Sequence, residues 1–80
     1  MANDQQLISV VIKDKHSVNL YDLGRNGNFL KNVFITSGEI IGSPVVTGDI
    51  CSISCLEQGR TCIRTYNMPK FTFKNIFYAS

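Results

Sequence analysis

Three cysteines, a single histidine and a run of interleaved cations and aromatics are the residues of this 80-residue chain whose types could do chemistry. Cys51, Cys55 and Cys62 with His16 make a nominal Cys₃His zinc set. Their spacing opposes it, because Cys51 and Cys55 fall on one expected strand, roughly 13 Å apart along it, beyond the reach of one ion. No metal is expected. An odd number of cysteines without a secretion signal also argues for reduced thiols rather than a disulfide framework. They read as small buried or half-buried residues.

Cysteine–histidine catalysis would need a thiol beside His16 in space. His16 follows Lys15 in a charged turn, and reads as a solvated turn residue. The carboxylates Asp4, Asp14, Asp22, Glu39, Asp49 and Glu57 are scattered, mostly at turns where Asp is wanted for backbone reasons, and none pairs with another. The chain contains no GxSxG, no HExxH, no phosphate loop and no dinucleotide fingerprint. Neither an enzyme nor a cofactor nor a small-molecule substrate is expected.

The cations are more suggestive. Arg60, Arg64 and Tyr66 alternate on one face of an expected strand, and Lys70 and Lys74 bracket Phe71 and Phe73. Single-strand nucleic-acid binders set a cationic groove beside aromatic platforms on small β-barrels. Against that, phenylalanines are ordinary core residues and arginines ordinary surface ones. A net charge of +2 permits a nucleic-acid role without arguing for it.

The elements that must position these residues read as strands. Asn3 or Asp4 could cap a helix bearing Leu7, Val10 and Val11, but Val10-Val11-Ile12 in a row favours a strand over Leu7–Ile12. The turn Lys13-Asp14-Lys15 follows, then a strand over His16–Leu23. Asn26-Gly27 is a hairpin signal. As a two-residue turn it sets Leu23 opposite Leu30 and Leu20 opposite Val33, and begins a second arm, Phe29–Thr36. Glu39-Ile40-Ile41 reads as a short strand. Pro44 cannot donate to a ladder, so Val45-Val46 belongs at an edge or corner. The turn Thr47-Gly48-Asp49 feeds a strand over Ile50–Leu56.

Face parity suggests how that strand meets the next, Arg60–Tyr66. A three-residue loop, Glu57-Gln58-Gly59, sets Ile53 opposite Ile63 and keeps one face apolar. A two-residue loop would instead oppose Cys55 to Cys62 and Ile53 to Arg64. The first choice makes Cys51, Ile53, Cys55 and Ile63 core, and leaves Ser52, Ser54, Arg60, Cys62, Arg64 and Tyr66 outside, with Cys62 an exposed thiol. The last strand, Lys70–Tyr78, breaks its alternation after Phe73, so either a bulge near Lys74-Asn75 shifts the phase or another subunit covers both sides.

Six to eight short strands with regular turn signals describe one domain over residues 1–80: an all-β, small antiparallel barrel or sandwich. At 44% hydrophobic and 18% charged, the composition is that of a chain that folds. Eighty residues make a thin core, which self-association often completes, so a homo-oligomer is expected. The polar start MANDQQ and the six-residue run LISVVI suit neither a signal peptide nor a membrane span, and point to the cytoplasm.

Two functions remain. The first is a non-enzymatic interaction protein acting through protein contacts or self-association, of accessory, inhibitory or virion-assembly type. The alternative is a single-stranded nucleic-acid-binding barrel using Arg60, Arg64, Tyr66, Lys70 and Lys74.

Overall fold

A computed structural model describes residues 7–79; the polar segment 1–6, with the candidate cap at Asn3 or Asp4, lies outside the described residues. The described residues are all-β, in eight strands: β1 (Ile8–Ile12), β2 (Ser17–Asp22), β3 (Asn28–Phe34), β4 (Glu39–Ile40), β5 (Val45–Thr47), β6 (Ile50–Glu57), β7 (Arg60–Asn67) and β8 (Thr72–Tyr78). They form two antiparallel sheets. The smaller runs β1-β2-β3; in the larger, β4 and β5 both pair with β6, followed by β7 and β8. The sheets do not close into a barrel.

A corner joins the sheets. The Lys15 carbonyl accepts from the Ile40 N–H at 2.7 Å, the His16 carbonyl from Ile35 at 2.8 Å, and Ile41 donates onward to Ser54 at 2.9 Å. The segment after β3 thus bonds to the start of β2 and then to β6. The charged turn feeding this corner is fixed by Asp14, whose carboxylate accepts the His16 N–H at 2.8 Å and the Ser17 hydroxyl at 3.0 Å. One core lies between the sheets: Val18 and Leu20 of β2, Ile35 and Ile40, Cys51, Ile53 and Cys55 of β6, Cys62 and Tyr66 of β7, and Phe71.

Pro44 does precede an edge strand, and Val45 and Val46 are exposed on it. The phase shift in the last strand is a bulge: Tyr66 pairs with Phe73 and Thr65 with Asn75, leaving Lys74 as the extra residue. That strand begins at Thr72 rather than Lys70, because Phe71 takes a left-handed φ of 61° and turns its ring into the core.

Two registers differ from expectation. In the β2–β3 hairpin Val18 opposes Val33 and Leu20 opposes Lys31, with an irregularity next to Tyr21. The cause is Asp22. Its side chain accepts the Gly24 N–H at 3.0 Å and rolls the chain into a 3₁₀ turn over Leu23–Arg25. Asn26 and Gly27 have the positive φ of an Asn-Gly turn, but they close this wider loop, and Leu23 and Leu30 are left exposed.

In the β6–β7 hairpin the loop is the two-residue one. Glu57 pairs with Arg60, Cys55 with Cys62 and Ile53 with Arg64. Gln58 and Gly59, at φ of 52° and 77°, make the doubly left-handed turn that matches strand twist. Parity is therefore reversed along β7: Cys62 and Tyr66 are core, and Ile63 faces out at 41% exposure. Among the described residues no helix is long and apolar enough to cross a membrane.

Candidate interaction surface

Alternation along β7 does put Arg60, Arg64 and Tyr66 on one face, but that face is the inner one, shared with Cys62 and with Cys51, Ile53, Cys55 and Glu57 of β6. Tyr66 is buried, its ring stacked on Phe71 with centroids 4.3 Å apart and planes 6° from parallel. Burial raises its phenol pKa. Arg64 donates from Nε to Glu57 Oε2 at 2.6 Å and from a terminal nitrogen to Oε1 at 3.1 Å. This two-point fork is the geometry in which arginine holds carboxylate most firmly. Arg60 remains exposed, its guanidinium 4.5 Å above the Tyr78 ring. Lys70 is exposed in the turn before β8, and Lys74 is exposed at the bulge. The structure brings three of the five residues to one face and leaves the two lysines apart from it.

Glu57 is the hub of the inner face at the hairpin end. Besides Arg64 it accepts the Thr36 hydroxyl at 2.7 Å, and Thr36 in turn accepts the Gly38 N–H at 2.9 Å. Arg64's hydrogen bonds, reinforced by Thr36, hold the Glu57 carboxyl below the usual carboxylate range, and the same bonds raise the guanidinium. The two side chains are only 24% and 14% exposed, so solvent screens this pair far less than an ordinary surface one. Gly38 is required here: a β-carbon on it would overlap the Leu56 carbonyl oxygen. A shallow cavity of about 300 Å³ lies alongside, lined by Ser37, Gly38, Glu57, Gln58, Arg60 and Tyr78.

All three cysteines are free and buried. Burial pushes the thiols of Cys51 and Cys55 up to about 11 and raises that of Cys62 as well, the reverse of what a nucleophile needs. The expected exposed thiol at Cys62 is therefore corrected by the hairpin register; it is 1% exposed. His16 is exposed in its turn, its ring nitrogen 3.2 Å from the Thr36 carbonyl oxygen. Among the described residues no three histidines, cysteines or carboxylates group to hold a metal ion.

The opposite face of the larger sheet was not singled out by residue type. Register builds a row straight across it: Ile41 beside Ser54, Ser54 opposite Ile63, Ile63 opposite Phe77. Leu56 and Val45 flank the row, from the strand positions on either side of Ser54. These five apolar side chains are between 38% and 58% exposed. The paired positions around them hold Ser52, Thr61, Thr65, Asn67, Thr72 and Asn75, and the one charged residue paired onto this face is Glu39, on the short edge strand β4. The alternation Thr61-Ile63-Thr65 carried the signal. The expected three-residue loop hides it by setting Ile63 inside.

No protein-family model matches the sequence, and no curated protein or solved structure matches it.

Proposed function

We propose that this chain is a non-enzymatic interaction protein that presents the outer face of its larger sheet to a protein surface, as an accessory, inhibitory or assembly component in the cytoplasm of the producing cell. The observation that carries this reading is the row Ile41–Ser54–Ile63–Phe77, apolar and half in water on a face where Glu39 is the single charge among the described paired residues. A solvated face of an antiparallel sheet is ordinarily polar. A contiguous exposed apolar patch of this kind ordinarily marks a contact surface. The chemistry-bearing side chains support the same reading from the other direction: the thiols are buried with raised pKa values, and Glu57 and Arg64 satisfy one another. The test is retention of binding proteins from the source cell on immobilised wild type and on Ile63→Lys with Phe77→Lys. Loss on the folded variant supports the surface; equal retention overturns it.

A second reading, single-stranded nucleic-acid binding, has one observation in its favour. Arg60 lies over Tyr78 and Arg64 lies 5.8 Å from the Phe73 ring, both rings about half exposed. Lys70 and Lys74 would supply phosphate contacts to such a platform. It predicts salt-sensitive oligonucleotide binding, measured by fluorescence anisotropy, that falls in Arg60→Ala with Lys74→Ala. Absence of binding at low salt and micromolar protein removes it.

A further inference from the structure

The outer face is large enough, neutral enough and shaped so that its own copy fits it. With a full side chain exposing about 200 Å², the five apolar residues leave on the order of 500 Å² in water. Two such faces together bury about 1,000 Å², the lower bound of a specific interface before the hydroxyl and amide side chains around them are included.

Charge selects the occupant further. A face made for a charged partner carries complementary charge, and a face with several like charges repels its own copy. Among the described residues paired on this one the single charge is Glu39, on the edge strand where a two-fold contact leaves it at the rim. Shape agrees. Across the row a small residue, Ser54, sits between Ile41 and Ile63, and Gly42 follows Ile41 with Ser54 Cβ 3.5 Å from where its own β-carbon would stand. The row therefore has a notch next to a knob.

Edge pairing, the other common route to self-association, is blunted at β3 and β8. Each sheet's last strand carries a bulge with a lysine at or beside it: Leu30 with Lys31 on β3, and Lys74 on β8. Bulges and lysines are how proteins prevent strand addition. One edge of each sheet is thus guarded, whereas the outer face carries no such device.

We infer that the outer face of the larger sheet is covered by a second copy of this chain, packed face to face about a two-fold axis that seats Ile63 of each copy over Ser54 of the other and Phe77 over Ile41. Isologous packing of this kind uses one patch twice, with sheets about 10 Å apart. The inference rests on the interaction surface proposed above and names its occupant.

The experiment is light scattering behind size exclusion at about 100 μM chain, with bis-ANS fluorescence on the same samples. Wild type is expected at the mass of two chains. Ile63→Lys and Phe77→Lys, both at exposed positions, are expected at the mass of one with unchanged far-UV circular dichroism, their self-affinity weakened at least about 100-fold by an unpaired buried charge. Phe34→Lys, on the smaller sheet, should remain a dimer. A dimer that survives Ile63→Lys and Phe77→Lys overturns the inference. So does a wild-type monomer, and the dye then separates two cases. Dye binding lost on Ile63→Lys keeps the surface and gives it a different protein partner, whereas no dye binding removes the surface reading as well.

Discussion

The two faces of the larger sheet divide the chain's chemistry from its accessibility. The inner face holds the cysteines, Glu57, Arg64 and Tyr66, and nearly all of these are buried or paired. The outer face holds isoleucine, valine, leucine, phenylalanine, serine and threonine, and is open. Residues that catch the eye by type are spent on holding the fold, and the free surface is made of ordinary ones. The smaller sheet mixes polar and apolar groups on its outward face. There the outward Asn32 amide donates to the Ser17 hydroxyl, the Val18 carbonyl and the Asn19 side chain at 3.0–3.2 Å, a polar network set among the exposed Val11, Phe29 and Phe34 of the same face.

If the inner face is structural, truncation there should cost the most. Tyr66→Ala removes a buried ring stacked on Phe71, and is expected to lower unfolding free energy by about 3–5 kcal/mol, read from urea denaturation. Ile63→Lys, three residues away and on the other face, should change monomer stability by no more than about 0.5 kcal/mol. Equal losses would erase the distinction between the faces. Gly38→Ala comes next. Its β-carbon meets backbone rather than a flexible side chain, so the corner beside Leu56 must shift, at an expected cost of about 1–3 kcal/mol.

The Glu57–Arg64 pair gives the contrast a pH signature. Because the Glu57 carboxyl is depressed in the folded state, chiefly by Arg64's hydrogen bonds, its contribution is fully present above the unfolded value near 4.5 and is lost as pH falls through the folded value. Asp14, held down by the His16 N–H, adds to stability in the same direction. Glu57→Gln should therefore be less stable than wild type at pH 7, by about 1–3 kcal/mol, and the two should converge as pH falls below about 4.5. Denaturation curves from pH 7 to pH 2 read this out, and a constant gap across that range would mean the carboxylate is idle. The smallest change is kinetic: native thiols should label far more slowly than unfolded ones, and fast labelling of Cys62 in native buffer would contradict its burial.

Much of this was legible in the sequence. β-branched runs, Pro44 and the glycine turns marked the strands, and the broken alternation after Phe73 marked the bulge at Lys74. What failed was loop length, and each failure had a local cause. Asp22 reaches forward to Gly24 and widens a turn that Asn26-Gly27 alone would have closed. In the second hairpin, only a three-residue loop keeps arginine off the core face. Arg64 is accommodated there because Glu57, seven residues earlier, accepts both of its nitrogens, and that partnership exists only once the two-residue loop has formed. One extra residue in the expected loop exchanges the faces of β7, so Arg60, Arg64 and Tyr66, expected outside, lie on the inner face, and Ile63, expected in the core, lies on the open one.

The most direct test is a dilution series of two-dimensional amide NMR spectra. The account predicts concentration-dependent shifts clustered at Ile41, Ser54, Leu56, Ile63 and Phe77, with the amides of Val18, Leu20, Asn32 and Lys70 unmoved. Shifts centred instead on Arg60, Lys70 and Lys74, or a spectrum of monomer line width that does not change from about 10 μM to 1 mM, would contradict it.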